Sequence, residues 1–288
     1  MTSWATQLLM IDVIQITFGI ILSIVISLLA YRLGSLSRSG AWAAFFNGAL
    51  IFGLGGLPWA TLLLAFFVSS SWLSRAFRRQ KMALHEKFAK GSRRDWGQVL
   101  ANGGLGTAVV MIHTLLPEQA WPWAAYLGAM AAVNSDTWAT EIGVLSRSAP
   151  RLITQWLLPW HKRTGTIEKG TSGGVTPLGT LAALVGAAFI TAFALLFSPP
   201  QQTLPLLIAG LIGGLSGSIF DSWLGATVQG IYYCPQCTKE TEHSPRHSCG
   251  TATTHQRGWR WLNNDWVNFL CSAAGAGVTV VIWRLLLG

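Results

Sequence analysis

In WATLLLAFFVSSSWLSRAFRRQK, residues 59–81, a long apolar run ends in a cluster of basic residues. Crossing the bilayer core takes about 20 apolar residues. Such a run forms a helix there because lipid offers no hydrogen-bond partners to the backbone. Lys and Arg directly after the run mark the cytoplasmic side. This stretch therefore predicts both a membrane-spanning helix and its orientation.

The rest of the chain extends this pattern. Of its 288 residues, 51% are hydrophobic and only 11% are charged, whereas soluble domains have about 25% charged residues. We predict an all-α polytopic membrane protein, forming a single membrane domain over residues 1–288. About eight transmembrane helices are expected, at residues 13–31, 41–57, 59–76, 98–116, 122–144, 177–197, 204–230 and 264–286.

Positive charge falls almost entirely on one side of these helices. Nineteen of the 20 Lys and Arg residues lie after the first span or in the loops 75–97, 145–176 and 231–263. The positive-inside rule places these loops in the cytoplasm and both termini outside, in a plasma (inner) membrane. Although the net charge is +9, charges beside spans attract anionic lipids and phosphates. Membrane lipids are therefore expected partners and nucleic acid is not, while the oligomeric state stays open.

A short internal similarity links the fifth and seventh spans. Asp136-Thr-Trp138 and Asp221-Ser-Trp223 share one pattern, and a Gly precedes each Asp by eight residues. Both spans run in the same direction in the predicted topology. The similarity indicates a parallel internal repeat, unless a match of three residues is chance.

Four acids lie within or at the ends of spans on the cytoplasmic side. A carboxylate in a spanning helix is costly and usually faces a bundle interior or a water-filled cavity. We take Asp136, Glu141, Asp221 and Asp265 as candidate catalytic residues. The first three are also candidate Mg²⁺ ligands, because this hard cation prefers carboxylate and phosphate oxygens. Alternatively, each acid is structural and pairs with a loop Arg or with water.

A glycine-rich segment, KGTSGGVTPLGT at residues 169–180, opens the sixth span. Glycines before a helix N-terminus let backbone N–H groups turn towards an anion, which the helix dipole also favours. The predicted phosphate-binding residues are Lys169, Gly170, Thr171, Ser172, Gly173, Gly174 and Thr176. The residue order of a P-loop is absent. The alternative is a flexible loop whose small residues serve helix packing.

Polar residues near the starts of other spans supply further site candidates. They are Arg94, Gln98 and Asn102 before and in the fourth span, Asn134 in the fifth, and Asn264 and Asn268 in the eighth. Amide side chains also hold helices together, so Asn102 is equally a packing candidate. Asn263 or Asn264 could instead cap the last helix.

The cytoplasmic loop 231–263 is a Cys/His subregion. Cys234-Pro-Gln-Cys237 is followed by His243, His247 and Cys249. Cytosolic thiols rarely form lasting disulfides, and such a set is typical of structural zinc. The predicted Zn²⁺ ligands are Cys234, Cys237, Cys249 and one of His243 or His247, with His247 preferred. The alternative is a loop of free thiols.

Together these motifs resemble an integral-membrane family that includes the plant phytyl-phosphate kinase. The motifs are Arg94…Gln98-Val-Leu-Ala-Asn102, Asp136-Thr…Glu141-Ile-Gly143, Gly170–Thr180, Asp221-Ser-Trp-Leu-Gly225-Ala and Asn264-Asp-Trp-Val-Asn268. The resemblance implies a kinase that converts a prenyl or polyprenyl monophosphate to the diphosphate, using Mg²⁺ and a nucleoside triphosphate (CTP, GTP or ATP). A cation- or proton-coupled transporter and a lipid-phosphate cytidylyltransferase are the alternatives.

Overall fold

Long helices form most of the described chain. The computed structural model describes residues 13–77, 93–157 and 165–287. Its helices are α1 (Val13–Arg32), α2 (Arg38–Ala76), α3 (Trp96–Leu115), α4 (Trp121–Gly143), α5 (Ile153–Leu157), α6 (Pro177–Leu195), α7 (Thr203–Thr227) and α8 (Asn264–Leu287). A 3-10 turn, Pro200–Gln202, precedes α7. The helix ends agree with the predicted spans to within three residues, with two predicted spans joined in α2.

Helix α2 is broken at Gly56, close to the junction of the predicted spans 41–57 and 59–76. Gly56 has a φ of 71°, a backbone conformation that favours glycine, and Pro58 follows it. Near the end of α2, Arg75 donates to the Leu33 carbonyl and the Ser35 hydroxyl at 2.9 and 3.0 Å. A straight helix of this length would hold its ends ~58 Å apart. The two halves of α2 therefore run antiparallel, as the two predicted spans require.

Five helical segments are long and apolar enough to cross a membrane: α1, α2, α6, α7 with its preceding turn, and α8. Helix α4 is long enough but more polar, since it carries Asn134, Asp136 and Glu141. Every α4 residue from 124 to 135 is buried, so neighbouring helices rather than lipid surround that part of it. The eight-span count and the orientation stay predictions.

Small residues let α4, α7 and α8 pack closely. A Cβ atom at either Gly128 in α4 or Gly213 in α7 would overlap Thr279 and the Gly275 carbonyl of α8. Small residues of this kind allow helix backbones to approach one another in membranes. Because Gly128 and Gly213 each precede an aspartate by eight residues, the packing brings Asp136 and Asp221 to one level of the bundle. A duplicated origin of the two helices stays a prediction.

The segments 33–37, 93–95, 144–157, 165–176 and 228–263 gather at one end of the bundle, here called the loop end. Two small antiparallel sheets form there. In one, β1 (Arg151–Leu152) pairs with β2 (Gly174–Val175). In the other, the Cys/His sheet, β3 (Ile231–Cys234) lies between β4 (Lys239–Thr241) and β5 (Thr254–Arg257).

Part of the predicted orientation signal lies outside the described residues. These basic residues are Arg78, Arg79, Lys81, Lys87, Lys90, Lys162 and Arg163.

Candidate functional site

A cavity of about 1290 Å³ opens at the loop end among α4, α6, α7 and α8. It brings together most of the predicted site residues, from five separate stretches of the sequence. These are Arg94, Gln98, Asn102, Asp136, Glu141, Lys169, Gly170, Thr171, Ser172, Gly173, Gly174, Thr176, Asp221, Asn264, Asp265 and Asn268. Outside the Cys/His sheet, Asn134 is the one predicted site residue that does not line it.

The acids of the cavity form two groups. The Asp221 carboxylate lies within electrostatic reach of those of Asp136 and Glu242. By contrast, Glu141 accepts a hydrogen bond from the Ser74 hydroxyl at 2.6 Å. Its carboxylate also interacts electrostatically with the guanidinium of Arg94. The step of five residues from Asp136 to Glu141 turns the side chain by about 140° around α4, which explains the separation.

This separation bears on the predicted magnesium site, whose ligands are Asp136, Glu141 and Asp221. Among the described residues, only the Cys/His sheet brings three or more Asp, Glu, His or Cys ligand atoms within 4.8 Å of one another. The three acids therefore do not form one compact group in this structure, and their joint binding of one ion stays a prediction. Glu141 lies near Arg94 instead.

Asp136 and Asp221 still fit a hard divalent cation. The Oδ2 atom of Asp221 is buried, and it has no hydrogen-bond partner in the described part of the chain. A buried carboxylate oxygen of this kind is costly unless a ligand satisfies it. Mg²⁺ is often held by one or two carboxylates together with substrate phosphates. The two aspartates are therefore the residues that would hold it.

The glycine-rich segment is a packed turn rather than a flexible loop. Gly170 and Gly173 have φ values of 80° and 82°, and a Cβ at Gly173 would overlap the backbone of Ala226 in α7. The Gly173 carbonyl also accepts a hydrogen bond from the Ile153 N–H at 3.0 Å. These contacts fix the segment between α5 and α7.

The segment leads directly into the N-terminus of α6. Thr176 caps this helix by accepting a hydrogen bond from the Gly179 N–H at 3.0 Å, and Pro177 is its first residue, as its fixed φ suits. The first N–H groups of a helix have no partner within it, and the helix dipole attracts negative charge to them. This end of the cavity is therefore favourable to an anion.

Lys169 lines the cavity but is held in a structural role. Its ammonium group donates to the carbonyls of Val144 and Ser146 at 3.2 and 2.7 Å. These carbonyls lie just beyond the end of α4, where a cation also interacts favourably with the helix dipole. The charge of Lys169 thus serves this helix end, and its contact with phosphate stays a prediction.

Arg94 is a half-buried cation of the site. Its guanidinium lies 5.4 and 5.6 Å from the ring centres of Phe66 and Phe67. Its Nη1 atom is buried without a hydrogen-bond partner among the described residues. Burial lowers the pKa of Arg94 to about 10, and the charge of Glu141 opposes this shift. Arg94 therefore stays protonated at neutral pH and can pair with an anionic ligand.

The predicted role of Asn134 in the site is corrected to helix packing. Its amide donates to the Gly186 carbonyl at 2.8 Å and accepts from the Ser69 hydroxyl at 3.1 Å. Asn134 thus joins α4 to α6 and α2. Its full burial requires these bonds, since an unsatisfied buried amide would be costly.

Of the two residues predicted as possible caps of the last helix, Asn263 caps it. Its side-chain oxygen accepts hydrogen bonds from the N–H groups of Asp265 and Trp266 at 3.0 and 3.2 Å. Asn264 is left to line the cavity. In α3, Asn102 lines the cavity, and its amide donates to the Gln98 carbonyl of the same helix at 2.7 Å. Its role in holding helices together stays a prediction.

Sequence reasoning missed two charged residues that line the cavity, Glu242 and Arg260. Glu242 accepts hydrogen bonds from the Ser172 hydroxyl and the Gln229 amide at 2.9 and 3.0 Å. No motif marks Glu242 within the Cys/His loop. The sequence did offer a sign that Arg260 lies near the site, because it lies three residues before the polar segment at Asn263.

The Cys/His sheet brings together one cluster of side chains that could ligate a metal. The ligand atoms of Cys234, Cys237, His247 and Cys249 all lie within 4.8 Å of one another. His247, and not His243, completes the group. Cys271 lies apart, buried in α8, as expected for a packing residue.

Comparisons with known proteins agree with the motifs. The family model for the integral membrane protein DUF92 matches residues 21–276. The chain is 32% identical over 279 residues to Protein PGR of Arabidopsis thaliana, covering 89% of this chain and 92% of that protein. It is 31% identical over 216 residues to an uncharacterised membrane protein of Methanocaldococcus jannaschii, covering 74% and 83%.

A third relative is Protein VTE6, chloroplastic, of Arabidopsis thaliana, with 25% identity over 274 residues, 91% of this chain and 71% of that protein. No solved structure matches the chain significantly. The family resemblance drawn from the motifs is thereby confirmed. A multi-pass helical membrane protein is also confirmed. The chain belongs to the DUF92 family of integral membrane proteins.

Proposed function

We propose that this protein is a membrane kinase that transfers the γ-phosphoryl group of a nucleoside triphosphate to a prenyl or polyprenyl monophosphate. The observation that carries the proposal is a single cavity that combines paired aspartates, a glycine-rich turn at a helix N-terminus and an apolar wall. These parts suit a divalent cation, phosphate groups and a lipid chain, respectively. The family resemblance implies the same activity.

The apolar wall supports a lipid substrate. It is formed by Leu181 and Leu184 of α6 and by Leu215 and Ile219 of α7. Leu181 and Leu184 are 58% and 40% exposed, on a helix apolar enough to cross a membrane. A prenyl chain could lie along this side while its phosphate enters the polar part of the cavity. Each CH₂ group buried there contributes about 0.8 kcal/mol.

Phosphoryl transfer depends mainly on positioning and on neutralising charge. The bond between the γ-phosphorus and its bridging oxygen breaks, an oxygen of the prenyl phosphate bonds to that phosphorus, and the nucleoside diphosphate leaves. Mg²⁺, when bound, would neutralise phosphate charge. Asp136 and Asp221 would hold it, and Arg94 and the N–H groups of the glycine-rich turn would bind phosphate oxygens. The acceptor phosphate is already ionised, so a strong base is not required.

The depth of the aspartates favours this reaction over transport. Because α7 ends at Thr227, Asp221 lies six residues, or ~9 Å, from the helix end. The predicted span 204–230 places Asp221 nine residues from the helix end. Asp136 lies seven residues, or ~10 Å, from the end of α4 at Gly143. Transporter sites usually lie near the bilayer midplane, whereas these acids lie near the loop end, which the charge pattern predicts to be cytoplasmic.

A transfer assay tests the proposal. The full chain, purified in detergent, would receive Mg²⁺, a panel of prenyl monophosphates, and CTP, GTP or ATP labelled at the α or the γ position. Thin-layer chromatography would separate the lipids. We expect γ-label in a lipid diphosphate, and we expect Asp136→Asn to reduce its formation by about 10²–10³-fold.

Other outcomes would overturn the kinase. Transfer of α-label with release of pyrophosphate would identify a cytidylyltransferase. The absence of any transfer by monodisperse protein, together with ion flux into liposomes, would identify a transporter. Glu118→Gln is the matched control, because Glu118 is exposed in the loop between α3 and α4, away from the cavity.

A further inference from the structure

We propose that Cys234, Cys237, His247 and Cys249 bind one structural zinc ion, and that the zinc-bound sheet holds Glu242 against the glycine-rich turn. The first part of this inference is independent of the kinase reaction. It concerns how the fold of the Cys/His sheet is stabilised, and hence how one wall of the cavity is built.

The distances within the cluster match a tetrahedral zinc site. The Sγ atoms of Cys234 and Cys249 are 3.6 Å apart. The His247 Nδ1 atom lies 3.5 Å from the Sγ of Cys237 and 3.3 Å from that of Cys249. Zinc bonds of about 2.3 Å to sulfur and about 2.0–2.1 Å to nitrogen place tetrahedral ligands about 3.5–3.8 Å apart. A disulfide would require sulfur atoms about 2.05 Å apart, so these cysteines are not bonded to one another.

The ligands come in pairs from two tight turns. Cys234 ends β3 and Cys237 lies in the turn to β4. His247 and Cys249 lie in a second turn, closed by hydrogen bonds from His247 N–H to the Thr251 carbonyl and from Gly250 N–H to the His247 carbonyl, both 2.9 Å. Two turns that each present a ligand pair beside a small antiparallel sheet are typical of zinc ribbons.

The sheet also lacks an apolar core that could replace a metal. Its strands have only three or four residues each. No residue between 231 and 257 belongs to either hydrophobic cluster of the described chain. Units too small to bury a core generally depend on a disulfide or a structural metal. With no disulfide among the cysteines, zinc is the stabilising element that the residues fit.

The same sheet forms part of the cavity wall. Glu242 lies between Cys237 and His247 in the chain, and it contacts Ser172 of the glycine-rich turn and the buried Gln229. On the other edge of the sheet, Arg257 donates to the Gly225 carbonyl of α7 at 3.0 Å. Zinc would therefore fix the strand end that positions Glu242 at the cavity.

Metal content measured by inductively coupled plasma mass spectrometry tests the zinc site in the full chain. We expect about one zinc ion per chain in the wild type and nearly none in His247→Ala or Cys237→Ser. His247→Cys should retain zinc, because four thiolates also form a structural zinc site. Cys271→Ser is the matched control and should keep the wild-type zinc content.

Limited trypsin digestion tests the link to the cavity wall without any substrate. Lys239 and Arg246 lie between the two ligand pairs of the cluster, so we expect them to resist cleavage in the wild type and in His247→Cys. Cleavage at both should rise at least tenfold in His247→Ala, with fragment masses identifying the sites. Because neither readout involves phosphoryl transfer, a failure of the kinase proposal would leave both results intact.

Three results would overturn this inference. They are wild-type protein without zinc, zinc content unchanged in both His247→Ala and Cys237→Ser, and a Cys234–Cys249 disulfide found by alkylation and mass spectrometry. Equal resistance to trypsin with and without zinc would overturn the role assigned to the metal in the cavity wall.

Discussion

Helices α4 and α7 carry the same short motif in two different settings. In each, an Asp precedes a hydroxyl residue and a Trp, and the Gly eight residues earlier packs against Thr279 and Gly275 of α8. Helix α4 is enclosed by other helices from residue 124 to 135. Helix α7 is mostly half-buried, on the side of the bundle that carries the apolar wall. The shared packing sets the level of each aspartate, and the surroundings decide what else each helix contributes.

The two helices differ most beyond their aspartates. Five residues after Asp136, α4 presents Glu141 to Ser74 and Arg94. The corresponding residue of α7 is Ala226, against which Gly173 packs. One helix therefore adds a negative charge near Arg94, and the other supports the glycine-rich turn. The aspartate pair is therefore common to both helices, while each helix has its own second task.

The largest effect is expected from the aspartates themselves. Asp136→Asn and Asp221→Asn should each reduce phosphoryl transfer by about 10²–10³-fold, because each removes charge that holds the cation. The double variant should be little worse than either single one, since the two residues act together. The labelled transfer assay measures all three, with Glu118→Gln as the control. Wild-type activity in either single variant would show that the two helices are not equivalent.

The shared glycines should have the next largest effect, on stability. Gly128→Ala and Gly213→Ala should each lower the free energy of unfolding by about 1–3 kcal/mol, because the added methyl group overlaps α8. Adding Thr279→Ala should restore the stability of Gly213→Ala more than that of Gly128→Ala. The Gly275 carbonyl lies closer to position 128, and the Thr279 substitution does not remove that overlap.

Thermal unfolding midpoints in detergent measure these changes. Gly277→Ala in α8 is the control, because nothing lies within 4 Å of its added Cβ. Equal rescue of both glycine variants by Thr279→Ala would contradict the different packing of α4 and α7.

The substitution Glu141→Gln tests the negative charge that α4 carries at this position, where α7 has Ala226. The change keeps an acceptor for Ser74 but removes the negative charge near Arg94, so we expect a loss of about 1.5 kcal/mol in stability. A double-mutant cycle with Arg94→Met measures the coupling. Strictly additive losses would mean that Glu141 and Arg94 do not interact.

The smallest effect is expected at the tryptophans. Trp138 donates to the Ser69 hydroxyl at 3.3 Å and packs against Phe189, whereas Trp223 stacks on Phe220. Trp138→Phe should lower stability by about 1 kcal/mol through the lost hydrogen bond. Trp223→Phe should lower stability less, because a Phe ring keeps the stacking on Phe220. Thermal unfolding midpoints compare the two variants. A larger loss of stability in Trp223→Phe would contradict the view that α4 holds the more enclosed tryptophan.

Hydropathy predicted the helix bounds well because membrane helices must satisfy their backbone internally. It also predicted which acids share the cavity, since a carboxylate in an apolar run needs a polar surrounding. The break in α2 was visible as well, because Gly56 and Pro58 interrupt a run that is otherwise apolar. These features depend on local sequence and on the energetic cost of lipid contact.

Other contacts of the site residues depend on tertiary packing that no local pattern encodes. The pairing of Glu141 with Arg94 follows from the direction of a side chain around α4. The use of Lys169 at the end of α4 and of Asn134 between helices follows from tertiary packing. Glu242 reaches the cavity only because the Cys/His sheet folds back over the glycine-rich turn.

The close approach of Gly173 to Ala226 has a consequence for ligand affinity. Ordering a free chain costs about 1–2 kcal/mol per residue, and the glycine-rich turn undergoes this ordering during folding rather than during binding. A phosphate would meet N–H groups already in place, so more of the interaction free energy remains to hold it. Because the turn rests on α7, a ligand there would also stiffen the helix that carries Asp221.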